Sequence, residues 1–328
     1  MEFFNPALED NITFVRPAYF YIGGFVGIPN INYYFFFLFF VYVFSVLGNA
    51  TVMVVIIFDN TLRGPKYVAV FSLALTDILS STALVPKVID IFLFDHRYIS
   101  YNECLTFMFF CFTLLSMQCL NLVALSYDRL IAIMYPLHYQ IKLTRTFMIN
   151  LIIMLWLIVI ILVLIAVGLI TRLSFCKSVV INSYFCDHGP IYRIGCNDVT
   201  PSRAVSGLLP ILLLWIPLAF ILATYGCIGY ALSKISTAQQ RTKAFKTCSG
   251  HLSLVAIYFL PITFVYGAGS KTHPNARIIN LSLTTVIPPL LNPIIYVFYT
   301  QEMKQSLKKK QYNPYIPKCN NLCKKSKF

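Results

Sequence analysis

The sequence predicts an all-α membrane protein. It reads as a seven-transmembrane helix bundle with the N-terminus extracellular, the C-terminus cytoplasmic and a short amphipathic eighth helix. Three observations carry that reading. Of 328 residues, 58% are hydrophobic and only 12% are charged, about half the roughly 25% charge of soluble domains. Seven nearly uncharged runs cover residues 31–58, 67–91, 104–127, 147–171, 204–233, 247–270 and 278–300. Each reaches the ~20 residues that a helix rising 1.5 Å per residue needs to cross a bilayer. Threading these runs through a membrane in alternation gathers the basic residues on one side.

The runs are apolar all round, so length and charge assign them rather than periodicity. They are continuous, not alternating, which favours helices over a transmembrane barrel. The second run is the least clean, with Asp77 deep inside and Lys87 and Asp90 near its outer end. Residues 1–30 lack a basic start, an apolar core and a small-residue cleavage site. The first span is therefore expected to act as its own insertion signal. No inverted repeat of the transporter kind is visible. Three regions follow: an extracellular tail over 1–30, a membrane domain over 31–300, and a cytoplasmic amphipathic helix and basic tail over 301–328.

With the N-terminus outside, 17 of the 26 Lys and Arg residues fall on the cytoplasmic side, against three of the 12 acids. The formal charge of +14 is thus a topology signal and not a nucleic-acid footprint; no nucleic-acid partner is expected. Lys308, Lys309 and Lys310 instead suit anionic lipid headgroups. Gln301 to Lys308 has helical spacing with Met303 and Leu307 on one face, as in a helix lying on the membrane. Asn11-Ile12-Thr13 is a glycosylation sequon on the outer side, while Asn280-Leu281-Ser282 falls within the seventh span and should be silent.

The ten cysteines divide by location. Cys111, Cys119 and Cys227 lie within spans and read as small hydrophobes. Cys248 sits near the inner end of the sixth span. Cys319 and Cys323 lie in the basic tail, as lipidation sites or as free thiols. Cys104, Cys176, Cys186 and Cys196 fall on the oxidising side, where four cysteines allow three pairings. Zinc with His188 is disfavoured, because no Cys-x-x-Cys or His-x-His spacing occurs.

Polar residues inside a membrane are costly and mark function. Asp77 is one, with Asn49, Gln118 and Asn292 as candidate partners. Asp128-Arg129 closes the third span, 24 residues after Cys104, or about 36 Å of helix. Pro293 follows Asn292 and kinks the seventh span, with Tyr296 three residues beyond on nearly the same face. Tyr225 in the fifth span is placed to swing inward with it. The five histidines are scattered over different boundaries, so no catalytic constellation forms and no cofactor is implied. A transporter would need more charges along a pathway than Asp77 supplies.

These strings together closely resemble the vertebrate odorant receptors, within the rhodopsin-like G-protein-coupled receptors. The resemblance covers about residues 45 to 308. It rests on Gly48-Asn49, on Pro65-Lys66-Tyr67 through Leu73-Ala74-Leu75-Thr76-Asp77, and on Ser126-Tyr127-Asp128-Arg129-Leu130-Ile131-Ala132-Ile133 with Pro136-Leu137-His138-Tyr139. Phe185-Cys186-Asp187, Lys243-Ala244-Phe245-Lys246-Thr247-Cys248-Ser249-Gly250-His251-Leu252 and Pro288-Pro289-Leu290-Leu291-Asn292-Pro293-Ile294-Ile295-Tyr296 complete it. Six strings in the right order are specific where one would be weak.

The resemblance implies disulfides Cys104–Cys186 and Cys176–Cys196. It implies a plasma-membrane protein of sensory cilia that binds a small-molecule odorant. It also implies a heterotrimeric G-protein partner of the stimulatory kind and a rise in cAMP. Asp128, Arg129, Tyr225, His251, Asn292, Pro293 and Tyr296 would form the switch that meets the G protein. The ligand would sit in the outer half of the bundle, touched by Met108, Cys111, Phe112, Leu115, Ser116, Tyr266, Ser282 and Thr285. Leu130, Gly64 and Gln118 depart from common members. Gln118 stands where an acid is frequent, so Asp77 lacks a second carboxylate, and a sodium ion and a neutral Asp77 compete as readings. A non-olfactory rhodopsin-like receptor for another small molecule is the alternative, ahead of a transporter.

Overall fold

A computed structural model describes residues 15–176, 178–234, 237–268 and 273–312. The sequon at Asn11 and the tail cysteines Cys319 and Cys323 lie outside these residues. The seven spans are helices α1 (Asn32–Phe58), α2 (Pro65–Phe92), α3 (Tyr101–Met134), α4 (Arg145–Ile170), α5 (Thr200–Ser233), α6 (Ala238–Ala268) and α7 (Pro274–Tyr299). Helix α8 (Gln301–Tyr312) follows at the inner end of α7.

Local chemistry sets the boundaries. Ser100 caps α3 by accepting from the Glu103 backbone N–H, the Ser-x-x-Glu spacing of a capping box. Thr144 does the same for Phe147 at the start of α4. Pro65 and Pro274 occupy the first turn of their helices, where the missing N–H costs nothing. Pro210 and Pro217 flank a π-helical segment, Ile211–Trp215, inside α5. Proline removes a backbone donor, and a wider turn is one way a helix absorbs that loss.

Helix α3 runs through the centre of the bundle, and α1, α2, α4, α5, α6 and α7 pack around it and each other. An upper apolar cluster includes Phe35, Val88, Met108, Cys111, Tyr184 and Val286. A lower one includes Val52, Leu73, Leu125, Ile221, Tyr258 and Tyr296. The outward faces of α1 and α4 are apolar and exposed, as at Phe36, Phe40, Phe44, Ile153, Ile161 and Leu164. In a bilayer these side chains meet lipid. Cys227, read as a small hydrophobe within the fifth span, is exposed on the outside of the bundle, whereas Cys111 and Cys119 are buried. The close approach of α1 and α7 requires Gly48: a Cβ there would stand 3.1 Å from the Pro293 ring.

The outer face departs from the all-helical expectation. Strands β1 (Tyr19–Ile22), β2 (Tyr98–Ser100) and β3 (Val180–Ile181) form a small sheet with β1 in the middle. Strand β1 runs antiparallel to β2 and parallel to β3. The segment before α1, read as a tail, is thus built into the lid over residues 15–30. Phe20 and Ile22 are fully buried, and Phe175 N–H donates to the Val15 carbonyl at 2.9 Å.

Candidate functional site

The inner mouth is organised around Asp128, which is 1% exposed. The Tyr139 hydroxyl donates to its Oδ1 at 2.5 Å, and Arg129 Nε stands 4.0 Å from Oδ2. Pro136–His138 and the single turn Tyr139–Lys142 reverse the chain after α3 and present Tyr139 to it. Sequence reasoning singled out Asp128 and Arg129 but gave Tyr139 no role. Its place in the Pro-Leu-His-Tyr string was the available signal.

Across the mouth, the Tyr225 hydroxyl and His251 Nδ1 are 2.6 Å apart, and their rings stack at 5.7 Å between centroids. This contact ties the inner half of α5 to α6. Tyr296 is buried in the lower cluster with Tyr225 packed against that cluster. Helix α8 is anchored by Glu302, which accepts from Lys66 Nζ at 2.7 Å and from the Tyr67 hydroxyl. Burial would raise the Glu302 carboxyl, but the Lys66 and Tyr67 bonds outweigh it and hold the group below the ordinary glutamate value. Met303 and Ser306 face inward while Lys304 is exposed, so α8 presents apolar and basic faces.

At mid-bundle, Asp77 is fully buried and both its oxygens accept amide N–H groups. Gln118 Nε2 donates to Oδ1 at 2.9 Å and Asn292 Nδ2 to Oδ2 at 2.6 Å. Gln118 Nε2 also reaches Ser80 Oγ at 2.8 Å. Asn49 does not join this network. Its amide donates to the Ser45 and Pro289 carbonyls at 2.9 and 2.8 Å, tying α1 to α7. Asn49 sits one helical step past Gly48, and the close α1–α7 contact directs it toward Pro289 and away from Asp77. Asn121, given no role from sequence, bonds Thr76 at 3.1 Å instead.

A cavity of about 10 Å³ opens beside Asp77, Gln118, Tyr258 and Asn292. That is about the least room that admits a single water molecule. A hard cation needs several oxygen ligands, yet the only carboxylate here is already occupied by two N–H donors. These residues do not fit a bound sodium ion. Among the described residues no cluster of His, Cys, Asp or Glu suits a metal.

The outer half holds most of the ligand residues expected from sequence, but in company. Met108 and Cys111 are buried in the upper cluster with Phe112 packed against it. Leu115 and Ser116 are half-buried, and the Leu115 carbonyl accepts from the Tyr258 hydroxyl at 2.8 Å. Ser282 Oγ lies 2.5 Å from the Tyr34 hydroxyl and donates to the Ile279 carbonyl at 2.9 Å. Thr285 Oγ1 donates to the Ser282 carbonyl at 2.7 Å. The side chain of Tyr266 lies outside the described residues. Tyr34 and Tyr184 were not singled out from sequence. Tyr184 lies two residues before Cys186, and a large aromatic beside a cysteine of the outer lid was the signal for it.

Cys104 is joined to Cys186 and Cys176 to Cys196. The first bond fixes the loop after α4 to the head of α3. Phe185 then packs on Phe107 and Phe112 with ring centroids 6.4 and 5.9 Å apart. Asp187 caps the turn His188–Arg193 through the Gly189 N–H. His188 is buried against Tyr192. Burial pulls its imidazole down to about 4, against a smaller upward pull from a backbone bond at Ala166.

Comparison with known proteins adds to this geometry. The olfactory receptor family model matches residues 38–313. Human olfactory receptor 1C1 is 34% identical over 273 residues, covering 82% of this chain and 86% of that protein. Human olfactory receptor 11A1 is 32% identical over 293 residues, covering 88% and 92%. Mouse olfactory receptor 6B9 is 31% identical over 302 residues, covering 92% and 95%.

Proposed function

As the chain belongs to the olfactory receptor family, we propose that this multi-pass membrane receptor works as a ligand-driven switch on a stimulatory heterotrimeric G protein. It is an odorant receptor, not an enzyme. A small organic ligand binds the outer half of the bundle, against Met108, Cys111, Phe112, Leu115, Ser116, Tyr266, Ser282 and Thr285. The inner mouth then opens, the G protein exchanges its nucleotide, and cAMP rises. The plasma membrane of sensory cilia is the expected site.

The observation that supports this reading best is the continuity of α3. One helix, Tyr101–Met134, carries the stapled Cys104 at its outer end and Asp128-Arg129 at its inner end. A rigid helix moved at one end moves at the other. In the closed arrangement Tyr225 and His251 tie α5 to α6, and Asp128 is shared between Tyr139 and Arg129. Ligand that binds the open arrangement more tightly shifts the population toward it. The shift is bounded by that difference in affinity. Asn292, Pro293 and Tyr296 lie on α7 between the two sites and would repack with the Asp77 network.

The glycan at Asn11 would mark the extracellular end. Helix α8 would rest on the inner leaflet, where its lysines meet anionic lipid. The test is a broad odorant screen of cells expressing the chain, with cAMP as readout and the Arg129→Ala variant as control. A ligand-dependent rise in the parent that is absent in the surface-delivered variant supports the switch. Equal responses from both would refute it.

A further inference from the structure

At their inner ends α5 and α6 part and leave a cleft of about 460 Å³. Gly229, Leu232 and Ser233 line it from α5, and Arg241, Thr242 and Phe245 from α6. Leu232 also belongs to a small apolar cluster with Ile228 and Cys248, against which Leu130 and Ile133 of α3 pack. That cluster closes the side toward α3, so the cleft opens away from it. Gly229 keeps the space free, since a Cβ there would meet nothing within 4 Å. Tyr230 is 67% exposed with Lys234 Nζ 5.3 Å from its ring centroid, and Phe245 is 60% exposed. Tyrosine and lysine at the foot of a span mark the level where hydrocarbon gives way to headgroups.

No Asp or Glu occurs from Val199 to Gln301, so neither wall offers Arg241 an acid. Ser233 Oγ donates to the Tyr230 carbonyl at 2.7 Å, and Thr242 Oγ1 to the Ala238 carbonyl at 2.9 Å. Both protons are committed, and both oxygens are left to accept. The cleft thus combines a cation, hydroxyl acceptors and the apolar surfaces of Leu232 and Phe245. We propose that it holds an anionic phospholipid of the inner leaflet whose headgroup also carries hydrogen-bond donors, as phosphatidylserine does. The phosphate meets the Arg241 guanidinium, the ammonium meets Ser233 and Thr242, and the chains lie along Leu232 and Phe245. Phosphatidylcholine brings neither a donor nor a net charge. The chain's own tail is the wrong sign, because Lys318, Lys324, Lys325 and Lys327 have no acid among them. A second copy of the cleft brings the same positive charge. The lipid touches both helices and so joins α5 to α6 on the cytoplasmic side of the Tyr225–His251 contact.

The experiment places the purified full chain in nanodiscs of mixed phosphatidylserine and phosphatidylcholine and measures, by native mass spectrometry, the lipid that stays bound. Arg241→Gln should lower retained phosphatidylserine on the order of ten-fold, the loss of a charge-assisted hydrogen bond, while Arg241→Lys should keep most of it. Gly229→Trp fills the cleft and should abolish retention. Gly207→Trp adds the same bulk near the outer end of α5, where a Cβ also meets nothing within 4 Å, and should change nothing. The tail lysines Lys308, Lys309 and Lys310 hold lipid equally in every variant, so the differences read the cleft. If Gly229→Trp fails to fold, the two Arg241 variants decide. Glycerophosphoserine, the same headgroup without chains, should fail to displace the lipid; displacement at matched concentration would give the cleft to a soluble phosphate instead. Retention unchanged in Arg241→Gln, or lost equally in Gly207→Trp, would overturn the site. Release of the lipid on adding a stimulatory G protein, with no preference for phosphatidylserine beforehand, would assign the cleft to that protein.

Discussion

The Tyr139 hydroxyl sits 2.5 Å from one oxygen of Asp128 while Arg129 Nε stands 4.0 Å from the other. A residue of the inner loop thus holds the aspartate more closely than the neighbouring arginine does. Tyr139 and Arg129 compete for one buried carboxylate. The outcome of that competition sets how firmly Arg129 is retained.

Tyr139→Phe removes one competitor and leaves the whole carboxylate to Arg129. A hydrogen bond to a charged group is worth about 1.5–3 kcal/mol, so the closed arrangement gains at the expense of the open one. Agonist EC50 should rise on the order of ten-fold and basal cAMP should fall. Surface-normalised dose–response curves measure both. A gain in basal activity would show that Tyr139 restrains the receptor instead.

Sodium provides a second test. Both Asp77 oxygens accept amide donors, and the adjoining cavity of about 10 Å³ has room for one water at most. Agonist potency should be indifferent to replacing sodium by a large organic cation at constant ionic strength. Gln118→Glu swaps an N–H donor for a second carboxylate and should create sodium dependence. The same titration reads both receptors, and sodium sensitivity in the parent would contradict the donor geometry.

Much of this was legible in the sequence, and the exceptions share a cause. Six of the spans were visible because each helix is long and apolar enough to announce itself locally, and α6 carries a shorter apolar stretch, Cys248–Phe264. Asp77, Gln118 and Asn292 were grouped correctly because buried polar residues in lipid must find one another. Asn49 was grouped with them and belongs elsewhere, since its direction depends on the close α1–α7 contact at Gly48. The strands escaped notice because Tyr19–Ile22, Tyr98–Ser100 and Val180–Ile181 are too short for an alternating pattern. Their pairing joins segments far apart in the chain. Tyr34, Tyr139 and Tyr184 were missed for a related reason: among 21 tyrosines, a place in the Pro-Leu-His-Tyr string or beside a lid cysteine marks Tyr139 and Tyr184 only faintly, and nothing local marks Tyr34.

The lid should loosen in acid. His188 is buried with its imidazole pulled down to about 4, below the ordinary histidine value of 6.5. The unfolded chain therefore takes up a proton between those values while the folded chain does not. Stability contributed by the neutral histidine is complete above about pH 6.5 and is lost as the pH falls toward 4. The full loss is on the order of 3 kcal/mol. Thermal unfolding of the purified receptor between pH 7 and pH 4 should show that decline, and His188→Gln should flatten it. An unchanged slope in the variant would assign the acid response to another group.

The two disulfides should not be equivalent. Cys104–Cys186 closes 82 residues and Cys176–Cys196 closes 20. Loop-entropy arguments favour the longer closure only modestly, by about 1 kcal/mol. Position separates them further. Cys186 adjoins Phe185, which packs on Phe107 and Phe112 of α3, and follows Tyr184, which is buried in the upper cluster with Val286 of α7. Losing that bond frees the lid from both helices. Cys176–Cys196 joins two points within one loop, where the Cys196 backbone N–H still donates to the Ser174 carbonyl at 2.8 Å. Cys104→Ser should therefore abolish surface delivery, while Cys176→Ser should reach the surface at reduced level with a lower melting temperature. Flow cytometry of an N-terminal tag, paired with melting curves, separates the two outcomes. Equal surface levels for both variants would mean that the lid is held by β1 and its apolar contacts, with the α3 staple dispensable.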